Sequence, residues 1–170
     1  FGASIKALGG GKVGGYLVRF STPADPDLTG DYFTKETDLR FPSGPIDVLY
    51  NHGLDATLKK RVIGSATVRI DDAGAWAEAQ LNLRDDYEKQ IYKLAEQGKL
   101  GYSSGALSHL VDREITGKGI AHIKTWAVGE VSLTPTPAEP RNAVISLKSV
   151  IPADTALTAA DTTPLPISET

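Results

Sequence analysis

The chain has 170 residues and no cysteine, its formal net charge is −3, and 41% of its residues are hydrophobic, values that suit one ordinary globular domain. A net negative charge gives no electrostatic reason to expect nucleic-acid binding, and no stretch approaches the ~20 apolar residues that a membrane span requires. Without cysteine there can be no disulfide, thiolate zinc site or cysteine nucleophile, and three widely spaced histidines disfavour a histidine metal cage, so we expect no metal and no cofactor.

Residues 1–20 open the chain with β-branched and aromatic side chains, and we predict strand structure there. The glycines around Lys12 suggest a phosphate-binding loop, but Val13 stands where such a loop requires Ser or Thr, so we interpret them as a flexible hairpin connection. The N-terminus carries no signal-peptide h-region. Since the chain lacks methionine, we expect Phe1 to belong to a truncated form, a processed product or part of a longer polypeptide.

The next part of the chain alternates between loops and short strands. Residues 21–45 are rich in Pro, Asp, Thr and Gly and are predicted to be loop or short turns. An apolar run at 46–50 predicts a strand that ends before an Asn-His-Gly turn. Two further strands are predicted at 61–70 and 75–83, with a turn at 72–74 between them.

One helix is predicted over residues 84–99, because four side chains at helical spacing form one apolar face: Tyr87, Ile91, Leu94 and Ala95. Asp85 and Asp86 suit its N-terminus, and Gly98 suits its end. The helix leads directly into a stretch of small residues that begins at Gly101.

Four strands are predicted after the helix, at 101–111, 120–125, 127–133 and 144–147. From Ile151 the chain is rich in Pro and Thr and has no basic or aromatic side chain, so we predict a linker or disordered tail over 151–170. The folded domain is therefore expected to span residues 1–150. Many strands with one inserted helix favour an α+β, mainly β or barrel-like domain over a doubly wound one.

Hydrolysis by a serine needs a hydroxyl with room around it, a base for its proton and a group that orients the base. Three histidines are candidate bases. His52 ends an apolar strand, where a scaffold can hold a functional side chain toward a cleft, or it is a surface histidine at a turn. His109 lies six residues after Ser103, about 20 Å away on an extended strand. His122 is expected to be exposed or structurally paired.

Two adjacent serines, Ser103 and Ser104, are surrounded by small residues. Either they are polar positions in a strand of small side chains, or Gly101, Gly105 and Ala106 clear space for a substrate backbone. In the second interpretation, backbone amides near Ser104 and Gly105 help to form an oxyanion hole.

Glu130 opens a predicted apolar strand, which is unusual for a carboxylate. Either it is an outward-facing side chain, or it accepts the proton of an imidazole nitrogen and fixes the tautomer of that ring. The residues alone leave both interpretations open.

Three stretches, in this order, resemble the prohead (capsid maturation) serine proteases of tailed bacteriophages: the histidine strand "DVLYNHG", the helix that runs into "LGYSSGAL", and "VGEVSLTPTPAEPRNAVI". The resemblance covers residues 13–147. Its most specific part is a Glu-Val-Ser-Leu strand at 130–133 followed by a Pro-Ala-x-Pro segment at 137–140. That family is similar in fold to the herpesvirus assemblin proteases, which implies a closed or partly closed antiparallel β-barrel with peripheral helices.

The resemblance implies a catalytic triad of His52, Ser103 and Glu130. It makes Ser103 the nucleophile and leaves Ser104 and Gly105 as candidates for the oxyanion hole or the substrate groove. The chain order His, Ser, Glu differs from the orders in chymotrypsin, subtilisin and the α/β-hydrolases. The Gly-x-Ser-x-Gly pattern does not indicate a hydrolase elbow either, because here the helix precedes the serine instead of following it.

The implied function is that of a serine endopeptidase that cleaves the scaffold, the N-terminal delta domain of the capsid protein and itself. It would act inside the viral procapsid, in the host cytoplasm. Its partners would be capsid protein and scaffold segments, with no nucleic acid and no membrane, and a homodimer or higher oligomer is an option. Two alternatives stay open: a non-catalytic scaffold or assembly domain that retains the protease fold, and an esterase with the same triad.

Overall fold

The computed structural model describes residues 10–139, 141–142 and 144–146. Within them the chain folds into ten strands, one α-helix and two short 3-10 segments, at Asn51–Gly53 and Ser108–Leu110. The helix is α1 (Asp86–Glu96), and the strands, in chain order, are β1 (Lys12–Arg19), β2 (Asp31–Tyr32), β3 (Asp38–Arg40), β4 (Ile46–Tyr50), β5 (Gly64–Ile70), β6 (Gly74–Leu81), β7 (Gly101–Ala106), β8 (Asp112–Gly117), β9 (Ile120–Thr134) and β10 (Ile145–Ser146).

All ten strands belong to one sheet, in the order β10-β1-β6-β5-β4-β9-β2, and β3, β7 and β8 also pair with β9. Strand β9 is 15 residues long and therefore has room for several neighbours. Its first half pairs with β2, β3 and β8, and its second half pairs with β4 and β7. The sheet curls strongly into a half-barrel, and buried side chains from β1, β4, β6, β7 and β9 form one core.

The predicted fold class is confirmed as a mainly β domain, but the closed barrel and the assemblin-like fold are not confirmed. The prediction of an antiparallel sheet holds for most strand pairs. It is wrong for β2, β3 and β4, which all run parallel to β9. Parallel strands need a long connection, and the chain between β4 and β9 supplies one with four strands and α1. The described residues hold this single α-helix where peripheral helices were expected.

Helix α1 begins after Asp85, one of the two aspartates that suit its N-terminus. The Asp85 carboxylate accepts the backbone N–H of Glu88 at 3.0 Å, and this hydrogen bond lowers the pKa of Asp85. The predicted apolar face is correct at Ile91 and Ala95 but wrong at Tyr87, which is 56% exposed. Glu88 is buried instead, because the Arg84 guanidinium lies 3.1 Å from its Oε2 and balances its charge.

Several strand boundaries differ from the prediction. Strands β4, β5 and β6 are confirmed, whereas the segment predicted as loop over 21–45 contains the short strands β2 and β3. The strand predicted over 101–111 ends at Ala106, and the two strands predicted between 120 and 133 are one continuous strand. The glycine-rich stretch from Lys12 to Gly15, predicted as a hairpin connection, lies within β1 and pairs with β6.

The sequence does not predict β8, because Asp, Glu and Gly are depleted in strands. Its residues lie at an exposed edge and pair only with β9 among the described strands. Because these side chains are exposed, the sequence of β8 shows no alternation of apolar and polar residues that would predict a strand.

Some sequence predictions fall outside the described residues. These are the strand structure predicted for residues 1–9, the domain end near Val150, the tail over 151–170, Leu147 and Pro140. Within the described residues, no helix has both the length and the apolar character needed to cross a membrane. The same part of the chain holds no cluster of three or more His, Asp or Glu side chains that could bind a metal ion.

Tyr102 connects β7 with β1. Its side chain is completely buried, its hydroxyl donates to the Val13 carbonyl at 3.3 Å, and burial raises its pKa well above the ordinary value for tyrosine. Its backbone N–H donates to the Asn142 carbonyl at 3.0 Å. Residues 145–146 then pair with β1, so the segment after Asn142 bridges β7 and β1.

We predict that Tyr102→Ala lowers the free energy of unfolding by about 3–5 kcal/mol, because it leaves a cavity in the core. Tyr102→Phe removes only the hydroxyl and should cost about 0.5–1.5 kcal/mol. Urea unfolding followed by circular dichroism measures both. Tyr87→Ala is the control, because this tyrosine is 56% exposed, and a loss as large as that of Tyr102→Ala would contradict the prediction.

Candidate active site

The second half of β9 separates polar from apolar side chains by strict alternation. Glu130, Ser132 and Thr134 lie on one face of the strand, and Val131 and Leu133, both fully buried, lie on the other. The sequence predicted Glu130 at the head of a strand. That prediction is wrong, because the strand begins ten residues earlier at Ile120 and Glu130 lies inside it.

Pairing of β7 with β9 determines which side chains join this polar face. Ser103 lies directly opposite Ser132, and Gly105 lies directly opposite Glu130. Directly opposed residues in an antiparallel pair project from the same face of the sheet. The Ser103 side chain therefore shares its face with Glu130 and Ser132.

Ser104 projects from the opposite face. Its hydroxyl accepts the indole N–H of Trp126 at 2.9 Å, and its neighbour two residues before, Tyr102, is a core residue. The backbone directions also differ between neighbours in a strand. Because the Tyr102 N–H points away from β9 to Asn142, the Ser104 N–H also points away from β9, whereas the Gly105 N–H points toward it.

Gly105 provides the space in which the Glu130 carboxylate lies. A Cβ atom at position 105 would approach the Cγ and the Oε1 of Glu130 to 2.5 Å. No real Cβ makes such a contact, so any side chain here would displace the carboxylate. The glycine predicted to clear space for a substrate therefore clears space for Glu130.

His52 lies in the turn after β4, where three consecutive residues have left-handed backbone conformations. The φ angles are 48° at Asn51, 55° at His52 and 72° at Gly53. Left-handed φ is uncommon for a residue with a side chain, and it directs the imidazole toward β9. The ring Nδ1 lies 2.5 Å from Glu130 Oε1, with the His52 side chain 32% exposed and that of Glu130 21% exposed.

This contact assigns the imidazole tautomer. A carboxylate only accepts hydrogen bonds when ionised, so Nδ1 carries the proton that is shared with Glu130. In the neutral ring the other nitrogen, Nε2, then keeps a free lone pair. The structure thus brings an imidazole and a carboxylate into contact on the face of the sheet from which the Ser103 side chain projects.

The other two histidines do not take part in the contact between His52 and Glu130. His109 was predicted on an extended strand, but it lies in the 3-10 segment that follows β7. His122 is buried, its ring stacks on Tyr32 with centroids 4.9 Å apart, and Nε2 lies 2.9 Å from Thr34 Oγ1. The structure thus supports the paired alternative for His122 and excludes the exposed one.

A cavity of about 380 Å³ lies between residues 17–19 of β1 and residues 102–104 of β7. Its wall includes Trp126 and the ion pair between Arg113 and Asp31, whose atoms lie 2.5 Å apart. Burial raises the pKa of Asp31, although the Arg113 charge opposes this shift. Ser103 and Ser104 both line the cavity, whereas His52 and Glu130 do not.

Sequence reasoning missed the residues that hold the His52 turn. The buried Ser132 hydroxyl accepts the His52 backbone N–H at 2.7 Å, and Thr134 Oγ1 donates to Asn51 Oδ1 at 3.1 Å. The alternation Glu-x-Ser-x-Thr after Gly129 was the available signal. It indicates a polar face on a strand whose other face is apolar, and such a face needs a polar partner.

Comparison with known proteins gives a family match that covers most of the chain. The family model described as Caudovirus prohead serine protease matches residues 4–154 of the chain. No curated protein and no solved structure gives a significant match. The matched range includes the His52 turn, β7 and the whole of β9.

We predict that Gly105→Ala separates the Glu130 carboxylate from the His52 ring, because the added methyl takes its space. The fold should survive with a loss of about 1–3 kcal/mol in the free energy of unfolding. Nitrogen-15 NMR of the imidazole measures the result as a lower fraction of the Nδ1–H tautomer. Gly117→Ala is the matched control, because a Cβ there meets atoms only at 3.7 Å and beyond; equal spectra for the two variants would contradict the prediction.

Proposed function

The chain belongs to the caudovirus prohead serine protease family and is a serine protease of viral procapsid maturation, and we propose that His52, Ser103 and Glu130 are its catalytic triad. One observation carries the proposal: Nδ1 of His52 lies 2.5 Å from Glu130 Oε1 on the face of the sheet from which Ser103 projects. Serine proteolysis requires this combination of a hydroxyl, an oriented base and a carboxylate.

In the proposed mechanism, Glu130 holds the Nδ1 proton of His52, and Nε2 takes the proton of the Ser103 hydroxyl. The Ser103 oxygen attacks the carbonyl carbon of the scissile peptide bond, and Glu130 stabilises the imidazolium that forms. Nε2 then gives its proton to the departing amine, which leaves an acyl-enzyme. A water molecule, deprotonated by His52, hydrolyses the ester and restores the Ser103 hydroxyl.

The oxyanion of the tetrahedral intermediate needs N–H donors that are not already used in the sheet. Of the two candidates from the sequence, the Ser104 N–H suits this role because it points away from β9. The Gly105 N–H points toward β9 and belongs to the strand pairing with Glu130. We therefore assign oxyanion stabilisation to the Ser104 amide and the clearance for Glu130 to Gly105.

Ser103 is the nucleophile in this proposal, although Ser104 is its direct neighbour. Ser104 projects from the other face, and its hydroxyl already accepts the Trp126 indole N–H at 2.9 Å. A nucleophile must reach the imidazole of His52, which lies across Glu130 on the Ser103 face. The role of Ser104 is thus carried by its backbone rather than its side chain.

We predict that Ser103→Ala lowers kcat about 10⁴- to 10⁶-fold, because the covalent step is lost. Ser104→Ala should keep most of the activity, because alanine retains the backbone N–H. Cleavage of purified scaffold and capsid protein, followed by mass spectrometry, measures both variants.

The opposite pattern, an active Ser103→Ala and an inactive Ser104→Ala, would transfer the role to Ser104. A serine-directed fluorophosphonate probe adds a second measurement, with Ser103 as the expected labelled residue. An unlabelled wild-type protein would support the alternative of a non-catalytic assembly domain.

The substrates follow from the family. A prohead protease acts within the procapsid on capsid and scaffold proteins, and we propose the scaffold and the N-terminal delta domain of the capsid protein as the cleaved segments. Assembly of the procapsid in the host cytoplasm is part of the same proposal. A homodimer or higher oligomer stays a prediction.

We further predict that the protease cleaves its own chain near Ile151, where the composition changes to a Pro- and Thr-rich segment. A segment of the predicted linker type is accessible to a protease, whereas strands paired in a sheet are not. Intact mass spectrometry should show a shorter chain for wild type than for Ser103→Ala. Identical masses would contradict self-cleavage.

A further inference from the structure

Strand β9 contacts the His52 turn through three alternate side chains. Glu130 contacts the imidazole, with Oε1 2.5 Å from Nδ1. Ser132 contacts the backbone, with its Oγ accepting the His52 N–H at 2.7 Å. Thr134 contacts the preceding residue, with its hydroxyl donating to Asn51 Oδ1 at 3.1 Å. Only the contact between Glu130 and the His52 ring joins two groups of the proposed triad.

The turn requires external support, because its backbone is unfavourable without it. Asn51 and His52 have φ angles of 48° and 55°, and residues with side chains occupy this region only when the surrounding structure enforces it. Within the turn, the Leu54 N–H donates to the Asn51 carbonyl at 2.9 Å. The direction of the His52 side chain depends on this conformation.

We propose that Ser132 and Thr134 are positioning residues, which hold the His52 turn so that the imidazole keeps its catalytic orientation. The inference rests on the proposed function, since it assumes that His52 is the base. Neither residue contacts the reacting atoms, and both act through the turn.

Burial separates this role from that of a nucleophile or a substrate contact. Ser132 is 0% exposed and Thr134 is 1% exposed. The Ser132 hydroxyl also lies 3.5 Å from the Leu49 carbonyl, and Thr134 Oγ1 accepts the Thr136 N–H at 3.2 Å. Both hydroxyls are therefore engaged on two sides, and a substrate cannot reach them.

Loss of the Ser132 hydroxyl would leave the His52 N–H without its partner beneath the turn. A buried donor without an acceptor is costly, so the turn relaxes toward a conformation in which the N–H reaches water. The imidazole then leaves Glu130 and Ser103. Because binding of the substrate does not use Ser132, kcat should fall while KM stays unchanged.

Ser132→Ala should lower kcat about 10- to 100-fold, the size of effect that displacement of a catalytic group by about 1 Å produces. Ser132→Thr and Ser132→Val form a matched pair, because their side chains have the same shape and only threonine has a hydroxyl. Ser132→Thr should recover more activity than Ser132→Val.

A control must remove a buried hydroxyl that bonds to β9 far from the site. Thr37 fulfils this condition, because its hydroxyl donates to the Ile123 carbonyl at 2.7 Å and accepts the Thr34 N–H at 3.0 Å. Thr37→Val is thus matched with Thr134→Val, the second variant that weakens the His52 turn. We expect a similar loss of stability for both but a lower kcat only for Thr134→Val.

A second readout measures the orientation of His52 without any turnover. In the Ser103→Ala protein, nitrogen-15 NMR of the imidazole should show mainly the Nδ1–H tautomer. Addition of Ser132→Ala should shift the ring toward Nε2–H, and addition of Thr37→Val should not. This measurement distinguishes the two proposals, because it reports on the turn even if Ser103 proves not to be the nucleophile.

The proposal is wrong if Ser132→Ala behaves like Thr37→Val in both kcat and tautomer, or if Ser132→Val is as active as Ser132→Thr. If Ser132→Ala does not fold, Thr134→Val decides, and an unchanged tautomer and kcat in that variant overturn the proposal. An increase in KM with an unchanged kcat would also overturn the proposal, because this result would indicate a role in substrate binding.

Discussion

One inserted residue in β9 determines which side chains meet at the site. Gly105 pairs with Glu130 and Ala106 pairs with Val128, so Gly129 is a bulge without an opposite residue. Before the bulge, the even-numbered Val128 faces the core, and after it the odd-numbered Val131 does. Without the bulge, the alternation that buries Val128 would turn Glu130 into the same apolar core. The contact between the Glu130 carboxylate and the His52 imidazole therefore depends on the bulge at Gly129, which changes the residues of β9 that face the core.

The alternation of side chains between the two faces of the sheet also separates the adjacent serines, Ser103 and Ser104. Strand β7 has no inserted residue between Gly101 and Gly105, so its neighbours simply alternate. Ser104 therefore falls on the core side with the Trp126 indole, and Ser103 falls on the side of the His52 turn. Small residues around them have different functions as well: a side chain at Gly105 would collide with Glu130, whereas one at Gly101 would collide with Pro137.

The sequence predicts the parts of this site that depend on local patterns or on family motifs. Helix α1, strand β4 and the selection of His52 and Glu130, which the structure brings into contact, come from such signals. The parts it cannot predict depend on pairing between distant strands: the bulge, the parallel pairing of β4 with β9, and the left-handed turn. Strand β8 is not predicted for another reason: its residues lie at an exposed edge and do not alternate between apolar and polar. Ser132 and Thr134 belong to an alternation of polar residues that the sequence shows, but their function can be inferred only when the His52 turn is known to contact them.

The parallel pairing explains why the His52 turn is left-handed. Tyr50 lies opposite Leu133, and both strands run in the same direction, so an extended continuation of β4 would travel past Thr134 and away from Glu130. The turn reverses this direction. Asn51 still meets Thr134, the His52 backbone meets Ser132, and the His52 ring meets Glu130. From the Asn51 side chain to the His52 backbone and then to the His52 ring, the contacts thus move back along β9 by two residues at a time. They lie in a turn of three consecutive left-handed residues.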